Sequence, residues 1–183
     1  MGKPQRMQEV ARLITKDEES KIVVLSALSG TTNALIEISE SLASGDRSVA
    51  KQQIDALHGH YQNFVQELLQ ETKTRDKANE VLHEHFEFLT IILKISFSQA
   101  LNKDILAQGE LLSTKLFSLY LEEKKIDHVL LPALEFMTID SDDEPQIGTI
   151  KVKLAQLLQR NKDKNIFIPR DISAAMQKAK WII

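Results

Sequence analysis

The sequence predicts an α/β domain with a mostly parallel sheet. Three short apolar runs, "KIVVLSA", "HVLLPAL" and "KNIFI", read as strands, and they are separated by long stretches whose apolar residues recur at helical spacing. Strands that alternate with helices connect most simply as parallel neighbours with helices on the sheet faces. At 183 residues the chain is long enough to bury a sizeable core without a disulfide or a metal.

Taken in order, Met7, Val10, Ala11 and Ile14 predict an amphipathic helix over 5–16, and Ile22 to Leu25 form a run that reads as a buried strand. The run breaks into "SALSGTTN". Gly30 suits unusual backbone angles there, and Thr31 or Thr32 is placed to cap a helix from Asn33 to Ala43, with Gly45 as its stop. Such a turn is also a candidate anion site, because backbone N–H groups and the helix dipole converge on it.

From Val49 to about Leu101 the pattern is helical throughout. Ile54, Leu57, Tyr61, Phe64, Val65, Leu68 and Leu69 make one stripe, and Val81, Leu82, Phe86, Leu89, Ile92, Leu93 and Phe97 make the next, as in a helical hairpin. A further helix over 103–123 is entered through Gly109, which puts Glu110 in its first turn. There its charge would either complement the dipole or face a cleft and meet a cationic group. "IGTIKVKLAQLLQR" is the last helix, between the second and third strands.

Composition excludes several functions. The 23 basic and 26 acidic residues are interleaved, with no basic stripe to track a phosphate backbone, so nucleic acid is not an expected partner. With no cysteine, thiol chemistry and thiolate zinc sites are ruled out. No run approaches the length of a membrane span, and a soluble, cytoplasmic protein is expected. Glu80 and His83 match one half of a di-iron carboxylate motif, but a second copy is missing, and the histidines read as solvated surface residues. "SDDEP" at 141–145 lacks the glycine and distal glutamate of a calcium loop.

Taken together, "VVLSALSGTTN" and "LAQGELLST", with the helical hairpin between them and "LLPALEFM" after them, resemble the catalytic region of aspartokinases, in the amino acid kinase superfamily. The resemblance runs from about Gly2 to Ile168. It implies a partial three-layer αβα amino acid kinase fold, the N-terminal lobe with an inserted helical hairpin. It further implies phosphoryl transfer from ATP, with Mg, to the side-chain carboxylate of L-aspartate, toward lysine, threonine and methionine. On the matching positions, Ser26 and Thr32 would line the aspartate and phosphoryl-acceptor pocket, and Glu110 would take the substrate amino group.

Two departures bear on activity. The family motif "KFGGTSV", whose lysine and glycines serve the ATP phosphates, does not occur in the 183 residues; Met1 stands where the family has valine, as a GTG codon read as a start would produce. After Ile168 the family pattern leading to "GRGGSD" is also replaced. Codons for residues 171–183 can be written so that, one base over, they spell "GYICRNAEGEVDN", which is family-like. The expectation is a lobe over 1–168 and an out-of-frame tail over 169–183, with no nucleotide bound tightly and no activity from this chain alone. The competing expectations are a non-catalytic binding module that self-associates and an all-helical scaffold whose strands are misread.

Overall fold

The computed structural model describes residues 3–140, 142 and 144–170. A three-stranded parallel sheet lies between two sets of helices. Its strands are β1 (Lys21–Ile22), β2 (Val129–Pro132) and β3 (Ile166–Arg170), in the order β1-β3-β2. Lys21 pairs with Ile166 and Val129 with Phe167, so the last strand in sequence is the central one. The sheet overturns the all-helical alternative.

On one face pack α1 (Pro4–Ile14), α2 (Thr31–Ala43), α3 (Arg47–Leu68), α4 (Thr72–Ile92) and α5 (Gln99–Glu123). Helix α2 contacts α3, α3 contacts α4, α4 contacts α5, and α5 closes the ring back onto α2, so the hairpin α3–α4 completes a four-helix unit. Nearly every residue of the two stripes read from the sequence faces its interior: Ile54, Tyr61, Val65, Leu68, Leu82 and Leu89 are almost wholly excluded from water. The same core takes in Val23, Leu25, Ile166 and Ile168 from the sheet. On the opposite face α6 (Ile147–Arg160) sets Leu154, Leu157 and Leu158 against Leu131 and Phe167.

Three expectations change. The run 22–25 is not buried throughout: Val23 and Leu25 face the core, whereas Ile22 and Val24 are 46% and 65% exposed. The alternation of a strand sends these pairs to opposite faces, and α6 packs on β2 and β3. Helix α5 begins at Gln99, ahead of the expected 103, because Ser98 caps it by accepting from the Leu101 amide at 3.2 Å, and Gly109 lies inside the helix rather than at its entry. Thr31 and Thr32 do not cap α2; the N-cap is Gly30 itself, with φ +85° and no side-chain cap.

Strand β3 crosses Ile168 and ends at Arg170, with Pro169 opposite Leu131. Residues 171–183, the greater part of the expected tail, lie outside the described residues.

Candidate functional site

The two segments singled out in the sequence meet in space. Residues 26–30 carry the chain from the end of the β1 segment into α2, and the left-handed Gly30 makes the turn. Helix α5 runs directly against it. A Cβ built on Gly109 would stand 2.9 Å from the Ala27 Cβ, 3.0 Å from the Thr31 Cγ2 and 3.3 Å from a Leu35 methyl, closer than side chains pack. Glycine inside a helix costs about 1 kcal/mol relative to alanine. Here it is what lets α5 lie against the turn.

A hydrogen bond locks the approach. The Ser113 hydroxyl, one turn along α5 from Gly109, lies 2.9 Å from the backbone oxygen of Ser26 and 3.0 Å from that of Glu110. Ser113 therefore joins the backbones of two of the three expected site residues. Of those three, Ser26 and Thr32 are exposed at the two ends of the turn, and Glu110 is half-buried on α5 beside Gly109. Glu110 thus sits in mid-helix rather than in a first turn, so the dipole of α5 is not what its charge answers. On the α3 side of the turn a pocket of about 320 Å³ is lined by Gly30, Thr31, Glu37, Gln53, Leu57 and His60, among others.

No protein-family model matches the chain. It is 29% identical over 120 residues to the lysine-sensitive aspartokinase 3 of Escherichia coli (strain K12), which covers 66% of this chain and 26% of that protein. It is 32% identical over 145 residues to the chloroplastic aspartokinase 2 of Arabidopsis thaliana, covering 76% of this chain and 26% of that one. The crystal structure of E. coli aspartokinase III in complex with aspartate and ADP superposes with a TM-score of 0.72 at 24% identity, over 92% of this chain and 38% of that one. The chain is a partial aspartokinase region.

It spans about a quarter of the length of these curated relatives. Its layers are those of the amino acid kinase fold seen in the solved aspartokinases. Within this aspartokinase region two polar residues, Thr31 and Glu123, have roles that the sequence did not predict. Thr31, buried, shares a 3.0 Å hydrogen bond with the Tyr61 hydroxyl of α3. Burial pushes the Tyr61 phenol up to about 12 against the lowering effect of that bond, so it stays protonated at neutral pH.

Glu123, in the last turn of α5, is a second such residue. One carboxylate oxygen accepts from the backbone N–H of Gln70 and of Glu71 and from the Thr74 hydroxyl, at 2.9, 3.0 and 2.6 Å. Burial raises its pKa, but Thr74, the Glu71 amide, Lys124 and the Gln70 amide together outweigh burial and hold the carboxyl at about 2. A glutamate at a helix C-terminus opposes the dipole of its own helix. That conflict was the available signal that it serves another element, here the start of α4.

The histidines divide. His60 and His83 are exposed, as read from the sequence. His85 is buried and its Nδ1 meets the Gln108 side-chain oxygen, because α4 turns that position toward α5. His58 stacks on Phe86 at 4.4 Å between ring centroids. Among the described residues no three His, Asp or Glu side chains gather as metal ligands do.

Proposed function

We propose that the turn 26–32 and the Gln108–Glu110 stretch of α5 form the aspartate-holding part of an aspartokinase pocket. The observation that carries this reading is the approach of Gly109 to Ala27 and Thr31, which brings the two motif segments into contact across 78 or more residues of chain. Ser26 in the segment after β1 and Thr32 in the first turn of α2 present hydroxyls beyond the carboxyl end of the sheet, where open α/β sheets hold small ligands. Glu110 supplies the negative charge for a substrate ammonium. The relative solved with aspartate and ADP supports aspartate as the substrate class and a nucleotide as the phosphoryl donor of the whole enzyme.

Phosphoryl transfer to a carboxylate depends on positioning and on neutralising charge. These residues serve the acceptor side: they hold the carboxylate that attacks and anchor the amine at its other end. The lysine of "KFGGTSV" and the arginine and aspartate of "GRGGSD" do not occur in the 183 residues, so no step at the nucleotide is assigned to this chain's residues.

The test is an NMR titration of the chain with L-aspartate and with succinate, which lacks the amino group. The wild-type chain is expected to prefer aspartate, with amide shifts at 26–32 and 108–113, and Glu110→Gln to lose the preference. Equal response to both ligands in the wild-type chain would refute the assignment of Glu110.

A second reading, a binding module that pairs with another chain, is favoured by the bare side of β1. That strand is at the sheet edge, and Ile22 in it and Val24 just beyond it are exposed to solvent.

A further inference from the structure

We infer that Tyr61 is a positioning residue for the aspartate-holding turn, acting through its hydrogen bond to Thr31. The inference rests on the reading of that turn given above.

Tyr61 is fully buried near the middle of α3, with its ring 5.9 Å from that of Phe86 and edge-on to His60. Its polar atom reaches across to the first residue of α2, where the Thr31 Oγ1 lies 3.0 Å away. Thr31 is 1% exposed, so neither hydroxyl has water to fall back on. A hydroxyl in the first turn of a helix ordinarily serves that helix's own free amides. Thr31 is instead engaged by a different helix, and Gly30 caps α2 without a side chain. The amide of Thr31 also closes the turn by donating to the Leu28 carbonyl at 3.0 Å.

The consequence concerns Thr32, the next residue and an exposed one. The backbone at residues 30 and 31 is gripped from two sides: α5 abuts it through Gly109, and α3 holds it through Tyr61. At Thr31 the contact with α5 is van der Waals, and the hydrogen bond from Ser113 holds the turn at its far end, at the Ser26 carbonyl. The hydrogen bond between Tyr61 and Thr31 is directional and falls next to Thr32, so it sets the angle at which Thr32 is presented. Tyr61 touches no substrate itself, and phenylalanine preserves its ring packing.

The experiment is the NMR titration with L-aspartate applied to the wild-type chain, Tyr61→Phe, Thr31→Val and the double variant, with amide exchange followed at 30–34. Tyr61→Phe is expected to raise the Kd for aspartate about fivefold, the scale of one lost hydrogen bond, and to speed exchange at those amides. The double variant is expected to bind no worse than the weaker single one, because both remove the same bond. A tyrosine that only stabilises the core would lower the melting temperature and leave Kd unchanged below it. That result, or additive losses in the double variant, overturns the inference. If the wild-type chain does not respond to aspartate at all, the proposed function fails and the role of Tyr61 falls with it; that pattern is distinct from normal binding by both wild type and Tyr61→Phe.

Discussion

The Thr74 hydroxyl donates a 2.6 Å hydrogen bond to the carboxylate of Glu123, tying the first turn of α4 to the last turn of α5 across 49 residues of chain. The same oxygen takes the amides of Gln70 and Glu71, so one side chain organises the whole connection between α3 and α4. Helices begin with amides that lack partners, and here an acid from a third helix supplies one.

Acid should therefore weaken this protein through Glu123. Its pKa falls from 4.5 to about 2 on folding, so the unfolded chain binds the proton more tightly. The stabilisation is complete above about pH 5.5 and is lost progressively as pH drops through 4.5 toward 2, to a limit of about 3 kcal/mol. Urea unfolding at pH 7, 4.5 and 3 checks it. Glu123→Gln is expected to cost about 2 kcal/mol at pH 7 and to flatten the acid limb by up to one proton; an unchanged slope in the variant would show that other carboxylates carry the acid sensitivity.

Alanine at the two glycines of the site should separate space from backbone strain. At Gly109 the new methyl meets Ala27 and Thr31 at 3.0 Å or less, and the overpacking, offset by better helix propensity, leaves a net loss of about 1 kcal/mol. Aspartate binding should weaken as α5 is pushed from the turn. At Gly30 nothing lies within 4 Å, yet φ is +85°, so Gly30→Ala should cost about 1 kcal/mol by strain alone. Thermal unfolding with an aspartate titration for each variant distinguishes the two effects.

The exposed side of β1 and of the residues that follow it, which carries Ile22 and Val24, should govern association. Val24→Lys places a charge at a position already 65% exposed, so stability is expected to move by less than about 0.5 kcal/mol. If the chain pairs through this face, light scattering will find an oligomer for the wild type and a monomer for the variant. A wild-type monomer at high concentration would remove the second reading.

No phosphoryl transfer is expected from the 183 residues. An aspartyl-hydroxamate assay with ATP and Mg should give no signal above that of Glu110→Ala. A signal dependent on both ATP and Glu110 would mean that the acceptor residues find a nucleotide site by some other route.

The hairpin was legible because helical periodicity states which face is apolar, and the stripe from Ile54 to Leu68 is the face that became buried. Gly30 and Gly45 were legible for the same local reason: both adopt the positive φ their places between elements suggested. The role of Gly109 was not legible, because a glycine is a strong local signal for a boundary, while its actual cause is a close approach between elements far apart in sequence.

The sequence by itself determined the alternation of elements, the apolar stripes and, through two short motifs, the family. Those properties are local, set by backbone preference and by the spacing of side chains along one element. Only the tertiary structure decided that Ile22 and Val24 face away from the core, that His85 is buried, and that Glu123 caps a helix other than its own. It alone brought Ser113 to the Ser26 carbonyl and Tyr61 to Thr31. Each of these depends on which element lies opposite, and periodicity says which way a side chain points without saying what it meets.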